Sequence, residues 1–109
     1  MICLYTLNLF MEKDLRFIEL FDLYSGLLTE KQKEIFSAYY IYDLSLSEIA
    51  EPQGRTRQSV HEIIKNTCDK LLQYEKTLKL KSKNDKLYDV ALSTSDKNAS
   101  DKIKELIGR

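Results

Sequence analysis

The chain has 109 residues, the size of one ordinary domain, which excludes a protein built from several catalytic and regulatory domains. Hydrophobic residues make up 43% and charged residues 31%, a balance that supports a packed core and excludes a disordered chain. The 17 basic and 17 acidic side chains cancel, so the whole chain lacks the polycationic character of nonspecific nucleic-acid binders. Only three glycines and one proline are present, without Asn-Gly or Asp-Gly hairpin pairs, which favours an all-α fold.

No sequence signal directs the chain to a membrane or to secretion. No apolar run approaches the roughly 20 residues of a membrane span, and Cys3 and Cys68 show no disulfide or metal-ligand spacing. We therefore expect a cytoplasmic protein. Residues 1–10 carry no charge, whereas an amphipathic pattern begins at Met11. The segment 1–10 is thus an apolar N-terminal extension, either an added arm or strand or the product of a misassigned start codon.

Two helices are predicted in the front part of the chain. A wide apolar arc predicts a helix over 14–27 that is central or contacts another subunit. The arc contains Phe17, Leu20, Phe21, Tyr24 and Leu28. Thr29 and Gln32 then form a capping box that predicts a second helix over 30–42. The inward stripe of this second helix consists of Ile35, Phe36, Tyr39 and Tyr40.

A short helix and a long helix should follow. Ser45 and Glu48 repeat the capping-box signature, and Pro52 limits the third helix to barely two turns. Gly54 suits a tight turn, after which Thr56 is a good N-cap for a fourth helix over 57–80. An apolar seam at spacings of four and three runs along this helix. Its members are Val60, Ile64, Thr67, Leu71, Tyr74 and Leu78.

The fourth helix would be roughly 36 Å long, more than the front bundle needs, so its second half should pack on something else. Beyond it, residues 81–109 have weaker apolar spacing. We expect a tail that either contains two short helices, over about 83–92 and 99–107, or is partly disordered.

The zero net charge conceals a gradient along the chain. Residues 12–53 carry a net charge of −5, residues 54–86 carry +5, and residues 87–109 are neutral. Such asymmetry indicates a localised anion-binding surface or two opposite faces that meet in a dimer. Two solvated helix faces would give the same pattern.

The segment 46–65 has the form of a helix-turn-helix, whose second helix presents its first turns to the major groove. With Val60 pointing inward, a polar face forms that includes the acidic residues Glu62 and Asp69. The candidate base-reading residues on this face are Gln58, His61 and Lys65. The candidate phosphate contacts at the helix start are Arg55, Thr56, Arg57 and Ser59. Because carboxylates repel phosphates, a helix-turn-helix that serves only packing or protein contact is the alternative.

No catalytic, metal or cofactor site is predicted. His61 is the only histidine and lacks a defined nucleophilic or acidic partner. The three glycines are too dispersed for a phosphate-binding loop. The many lysines between residues 65 and 86 accompany a single aromatic residue, Tyr74, so we expect most of them to be solvated.

Four short motifs resemble the YlxM family of small bacterial proteins, whose middle is similar to the helix-turn-helix of sigma factor region 4. These motifs are LLTEKQ at 27–32, the tyrosine pair at 39–40, SLSEIAE at 45–51 and RQSV at 57–60. The resemblance covers about residues 11–80, defines a helix-turn-helix domain there, and favours a start at Met11. Pro52, Gln53 and Arg55 depart from the pattern, since apolar residues usually stand near the turn where Gln53 and Arg55 lie, and this predicts loose packing of the turn.

The resemblance implies a DNA-binding regulatory protein that takes part in the signal recognition particle pathway and forms a homodimer. The first helix and the second half of the fourth supply the expected dimer surface. Its residues are Phe17, Phe21, Leu71, Tyr74 and Leu78. The alternative is an accessory protein that binds the protein or RNA of the signal recognition particle, without DNA, and modulates its GTPase.

Overall fold

The computed structural model describes residues 13–109, and all regular structure in this range is helical. The α-helices, numbered in chain order, are α1 (Arg16–Tyr24), α2 (Glu30–Tyr40), α3 (Leu46–Ala50), α4 (Arg57–Leu78), α5 (Leu80–Ser93) and α6 (Lys97–Ile107). The predicted all-α fold with a long fourth helix is therefore confirmed. The extension predicted over 1–10, with Cys3, lies outside the described residues, as does the expected start at Met11.

The chain forms two compact units. The first ends at Tyr74 and contains α1, α2, α3 and most of α4. The second, Glu75–Arg109, contains the end of α4 with α5 and α6. The sequence had suggested a division after residue 80, so the unit boundary falls inside the long helix.

Aromatic rings fill the core of the first unit. The Phe36 ring stacks between Phe21, at a centroid distance of 4.4 Å, and Tyr40, at 4.5 Å. Phe17 meets the Tyr40 ring edge-on at 6.3 Å. Burial raises the pKa of the Tyr40 phenol, so this hydroxyl stays neutral in the core. The aromatic stripe predicted to point inward from the second helix is therefore confirmed as core.

Capping interactions start α2 as predicted. The Thr29 hydroxyl accepts the Gln32 N–H, and the Gln32 side chain accepts the Thr29 N–H. The predicted ends of the first two helices were wrong by two or three residues. α1 gives way to a 3₁₀ turn after Tyr24, and α2 ends before Asp43, which has a left-handed backbone with φ 58°. No glycine or proline stands at the end of α2, and Gly26, two residues beyond α1, does not take a left-handed conformation, so the stops depend on the following turns.

The predicted helix-turn-helix is present between α3 and α4. Ser45 and Glu48 form the second capping box, and α3 runs into a 3₁₀ turn that contains Pro52. Gly54 has φ 64°, a left-handed conformation that costs little without a Cβ. The Arg55 N–H donates to the Ala50 carbonyl at 3.0 Å and closes the turn.

The turn is also tied by polar side chains, contrary to the loose packing expected from Gln53 and Arg55. The Arg55 Nε donates to the Gln53 Oε1 at 3.1 Å. The Gln53 Nε2 in turn donates to the Glu34 Oε1 on α2 at 3.2 Å, and Lys31 Nζ reaches the same Gln53 amide. Hydrogen bonds thus replace the apolar contacts usual at this position.

The fourth helix ends at Leu78, not at residue 80 as predicted. Lys79 takes a left-handed conformation with φ 57°, and α5 begins at the next residue. The Glu75 carboxylate accepts the Lys81 and Ser82 N–H groups at 3.0 and 3.1 Å. These two bonds satisfy amides that a helix start leaves open, and they offset the cost of a left-handed lysine.

The second unit is a pair of helices with a small core. α5 and α6 begin earlier than the predicted 83–92 and 99–107, and the Asp96 side chain caps α6 by accepting the Ala99 N–H. Ala91 and Ser100 are its buried residues, and the Ser100 hydroxyl donates to the Ala91 carbonyl at 2.7 Å. Small residues at this contact allow the two backbones to approach closely.

Candidate nucleic-acid interface

Buried apolar residues hold α4 in a fixed rotation. Val60 and Ile64 are fully buried, and Ile49 and Ala50 of α3 belong to the same core cluster. The inward placement of Val60 predicted from the sequence is therefore confirmed. Because a helix turns about 100° per residue, the polar side chains opposite Val60 and Ile64 face solvent. The orientation of the candidate recognition face is consequently set by the core.

The N-terminus of α4 is capped and carries exposed polar groups. The Thr56 hydroxyl oxygen accepts the Ser59 N–H at 3.0 Å, so its own O–H can still donate to an anion. Arg57 and Gln58 are exposed, while Ser59 is half-buried. Arg57 is the first residue of α4, so its cationic side chain begins at the positive end of the helix dipole. A phosphate at this helix start would meet both favourable charges.

A surface cavity of about 390 Å³ adjoins this helix start. Arg57, Gln58 and His61 line it from α4, and Leu46 lines it from α3. The three α4 residues were candidates from the sequence, but Leu46 was missed. The sequence offered no functional signal at Leu46, which packs partly against the core and is half-buried at the cavity. The cavity therefore combines two long polar side chains, an imidazole and an apolar wall.

Two of the other residues predicted to contact nucleic acid, Lys65 and Arg55, already interact with neighbouring side chains. Lys65 has a side chain that is 22% exposed, and its Nζ lies 3.7 Å from the Asp69 carboxylate one turn later. Arg55 is half-buried and bonded to Gln53 in the turn. Glu62 is exposed on the same face of α4. Positive charge at the site is thus concentrated at Arg57 and declines along the helix.

Most of the predicted dimer residues contribute to the core of the first unit. Phe17 and Leu71 are 4% and 0% exposed, so contacts within a single chain account for their burial. Phe21 stacks on Phe36, and the Tyr74 hydroxyl donates to the Leu27 carbonyl at 3.1 Å. Leu78, at 42% exposed, keeps substantial free apolar surface.

No group of three or more His, Cys, Asp or Glu side chains among residues 13–109 could hold a metal ion. None of the helices in the same range has the length and apolar character needed to cross a membrane.

Residues 11–107 match the family described as "Putative helix-turn-helix protein, YlxM / p13 like" (UPF0122), so the similarity extends beyond residue 80 into the tail. A UPF0122 protein of Clostridium botulinum is 51% identical over 75 residues, which cover 68% of each chain. One from Ureaplasma parvum serovar 3 is 39% identical over 89 residues, 82% of this chain and 90% of the relative. Another, from Clostridium kluyveri, is 42% identical over 113 aligned residues, 89% of this chain and 96% of the relative. The chain belongs to the UPF0122 family of YlxM-like helix-turn-helix proteins.

Proposed function

We propose that this chain is a cytoplasmic DNA-binding regulatory protein that inserts the N-terminus of α4 into the major groove. The observation that carries the proposal is the exposure of Arg57 and Gln58 on a capped helix start whose opposite side is fixed in the core. A rigid helix with exposed polar residues at its first turn is what groove recognition by a helix-turn-helix requires.

The proposed contacts divide by chemistry into two groups. Near the helix start, Arg55, Thr56, Arg57 and Ser59 contact phosphates. Gln58, His61 and Lys65 contact base edges, and a glutamine at such a position suits bidentate pairing with adenine. Leu46 forms an apolar wall beside these groups, where a thymine methyl group would fit.

The charge of α4 limits the depth of this contact. The exposed Glu62 carboxylate repels phosphates, and Asp69 partly neutralises Lys65. The favourable electrostatics therefore lie at the first turn, near Arg57, and only the N-terminal turns of α4 approach the duplex in this proposal.

The test is a comparison of two double variants that remove the same charges. R57A/K65A removes cations from the recognition face, whereas R16A/K70A removes an exposed arginine and an exposed lysine elsewhere. Binding to duplex DNA is measured by fluorescence anisotropy over a range of salt concentrations. We expect R57A/K65A to weaken binding and to lower the salt slope by up to about 2, with a smaller change for R16A/K70A. Equal binding by R57A/K65A and the wild type would refute the proposal.

The homodimer is part of the same proposal, because two copies would present two recognition helices to two half-sites. Of the predicted dimer residues, the exposed Leu78 supports a surface at the end of α4, whereas Phe17, Phe21, Leu71 and Tyr74 pack in or against the core of the first unit. Sedimentation of the wild type and of L78D tests this. We expect a dimeric mass that L78D shifts toward the monomer, and a monomeric wild type at micromolar concentration contradicts it.

A second candidate function is an accessory role in the signal recognition particle pathway, through the protein or the RNA of the particle. The exposed Glu62 carboxylate on α4 favours the protein of the particle over its RNA, because a protein surface tolerates acidic groups that phosphates repel. Co-sedimentation with the reconstituted particle and its GTP turnover form the test. A chain that neither co-sediments nor changes GTP turnover would exclude this role.

A further inference from the structure

Three exposed lysines, Lys79, Lys83 and Lys86, stand at the start of the helix α5 and along one side of it, whereas Lys81 lies beside Asp85 and is paired with it. Relative to the buried Ala91, Lys83 and Lys86 lie at about 280° and 220° around the helix, with Asp85 and Asp89 at about 120° and 160°. Lys79, the N-cap residue, precedes Lys83 by one turn. We name the exposed residues Lys79, Lys83 and Lys86 the lysine face.

The lysine face has no internal counterion. None of its three ammonium groups forms an ion pair with a carboxylate of residues 13–109, although such pairs occur elsewhere in that range. The nearby Asp85 is bonded instead to Lys81 at 2.8 Å and to Arg109 at 2.6 Å, which hold the pKa of its carboxyl below the usual value. Asp85 is therefore already paired with other cations, and Asp89, the carboxylate one turn beyond Lys86, forms no ion pair with that lysine.

The position of these lysines opposes helix stability. Cations are unfavourable near the positive end of a helix dipole, and α5 has no acidic residue in its first turn. The Glu75 carboxylate supplies the missing acceptor from the preceding helix and occupies the Lys81 and Ser82 amides. An anion would consequently be bound by the lysine side chains and not by the helix amides.

We propose that the lysine face is a second contact surface for the phosphate backbone of duplex DNA, separate from the α4 site. This inference rests on the proposed DNA-binding function. The three lysines span about 10 Å of chain, and duplex DNA carries one charge per about 1.7 Å of axis, so several phosphates are within their reach. The aromatic residue of α5, Tyr88, lies on another side beside the Arg109 guanidinium, so no ring is offered for stacking single-stranded bases.

The surface supplies affinity without sequence preference, since lysine ammonium groups at phosphates carry no base information. The second unit has nine basic and six acidic residues, a net charge of +3, which provides a favourable field for the same contact. It also accounts for part of the basic segment over 54–86 that α4 alone does not use.

The experiment uses the full chain and a duplex of random sequence. K79Q/K83Q/K86Q removes the lysine face, and K97Q/K102Q/K104Q removes the same charge from α6 as a matched control. Circular dichroism confirms that both variants fold. We expect the first variant to lower the salt slope by about 2 to 3 and to weaken binding about tenfold or more at 0.1 M salt, and the control to change both by less than half as much.

Each remaining outcome is decisive. Equal losses of duplex affinity in the two triple variants refute a DNA contact at the lysine face. A loss of affinity in R57A/K65A alone leaves the α4 site as the only supported DNA contact. If K79Q/K83Q/K86Q lowers the affinity for the duplex and R57A/K65A does not, the result supports a DNA contact at the lysine face and contradicts α4 as the recognition helix. Lysine-dependent binding to anionic phospholipid vesicles, with no binding to the duplex, overturns the inference in favour of a lipid surface.

Discussion

Leu71 and Leu72 are neighbouring leucines on α4 whose surroundings differ completely. Leu71 is 0% exposed in the core of the first unit, whereas Leu72 is 48% exposed. L71A and L72A therefore delete the same atoms from the same helix and differ only in burial. The pair isolates the contribution of the core that fixes the recognition helix.

The expected cost follows from that burial. Replacing a fully buried leucine by alanine loses transfer free energy and leaves a cavity, about 2–5 kcal/mol in all. L72A removes a side chain that already keeps about half of its surface in water, so we expect about 1 kcal/mol or less, part of it offset by the better helix propensity of alanine. A difference of about 3 kcal/mol corresponds to a melting temperature lower by roughly 10–20 °C.

Urea unfolding followed by circular dichroism at 222 nm is the assay, carried out at two protein concentrations an order of magnitude apart. If the core of a single chain buries Leu71, the large decrease in the free energy of unfolding caused by L71A does not depend on the protein concentration. A loss that grows on dilution would show that Leu71 stabilises a dimer, as the apolar seam had suggested. Equal costs for L71A and L72A would refute the core assignment.

Four smaller effects are also expected. S45A should lower the free energy of unfolding by about 1 kcal/mol, because the Ser45 hydroxyl caps α3; thermal unfolding measures it. K79G should raise the melting temperature slightly, since glycine adopts φ 57° without a Cβ penalty, and a decrease would contradict the strain. Lys13 lowers the pKa of Asp43. The ion pair between them therefore adds to the free energy of unfolding above about pH 4, and this addition is lost as the pH falls through the folded-state pKa of Asp43. D43N should remove this part of the pH dependence of the free energy of unfolding. E62Q should strengthen DNA binding about two- to threefold at low salt, because one repulsive carboxylate disappears.

Local sequence signals were sufficient to predict most of the helical architecture. The Thr29 and Ser45 capping boxes, the left-handed turn at Gly54 and the burial of Val60 depend on neighbours within one or two turns, and the structure contains each of them. Such interactions have the same geometry wherever the helix is placed, so spacing in the sequence is enough to recognise them. The exposed start of α4 at Arg57 follows from the same periodicity.

Only the tertiary structure shows the features that depend on contacts between residues far apart in the sequence, or on which of two possible partners covers a residue. Nothing in the residues around Lys79 breaks a helix, and α4 stops there because Glu75 satisfies the first amides of α5. The link from Gln53 to Glu34 depends on α2 lying beside the turn. Leu71 could have faced a second subunit or its own chain, since an apolar periodicity records that a face is covered but not what covers it. Only the three-dimensional packing of α1 and α2 with α4 resolved that choice for the buried half of the seam.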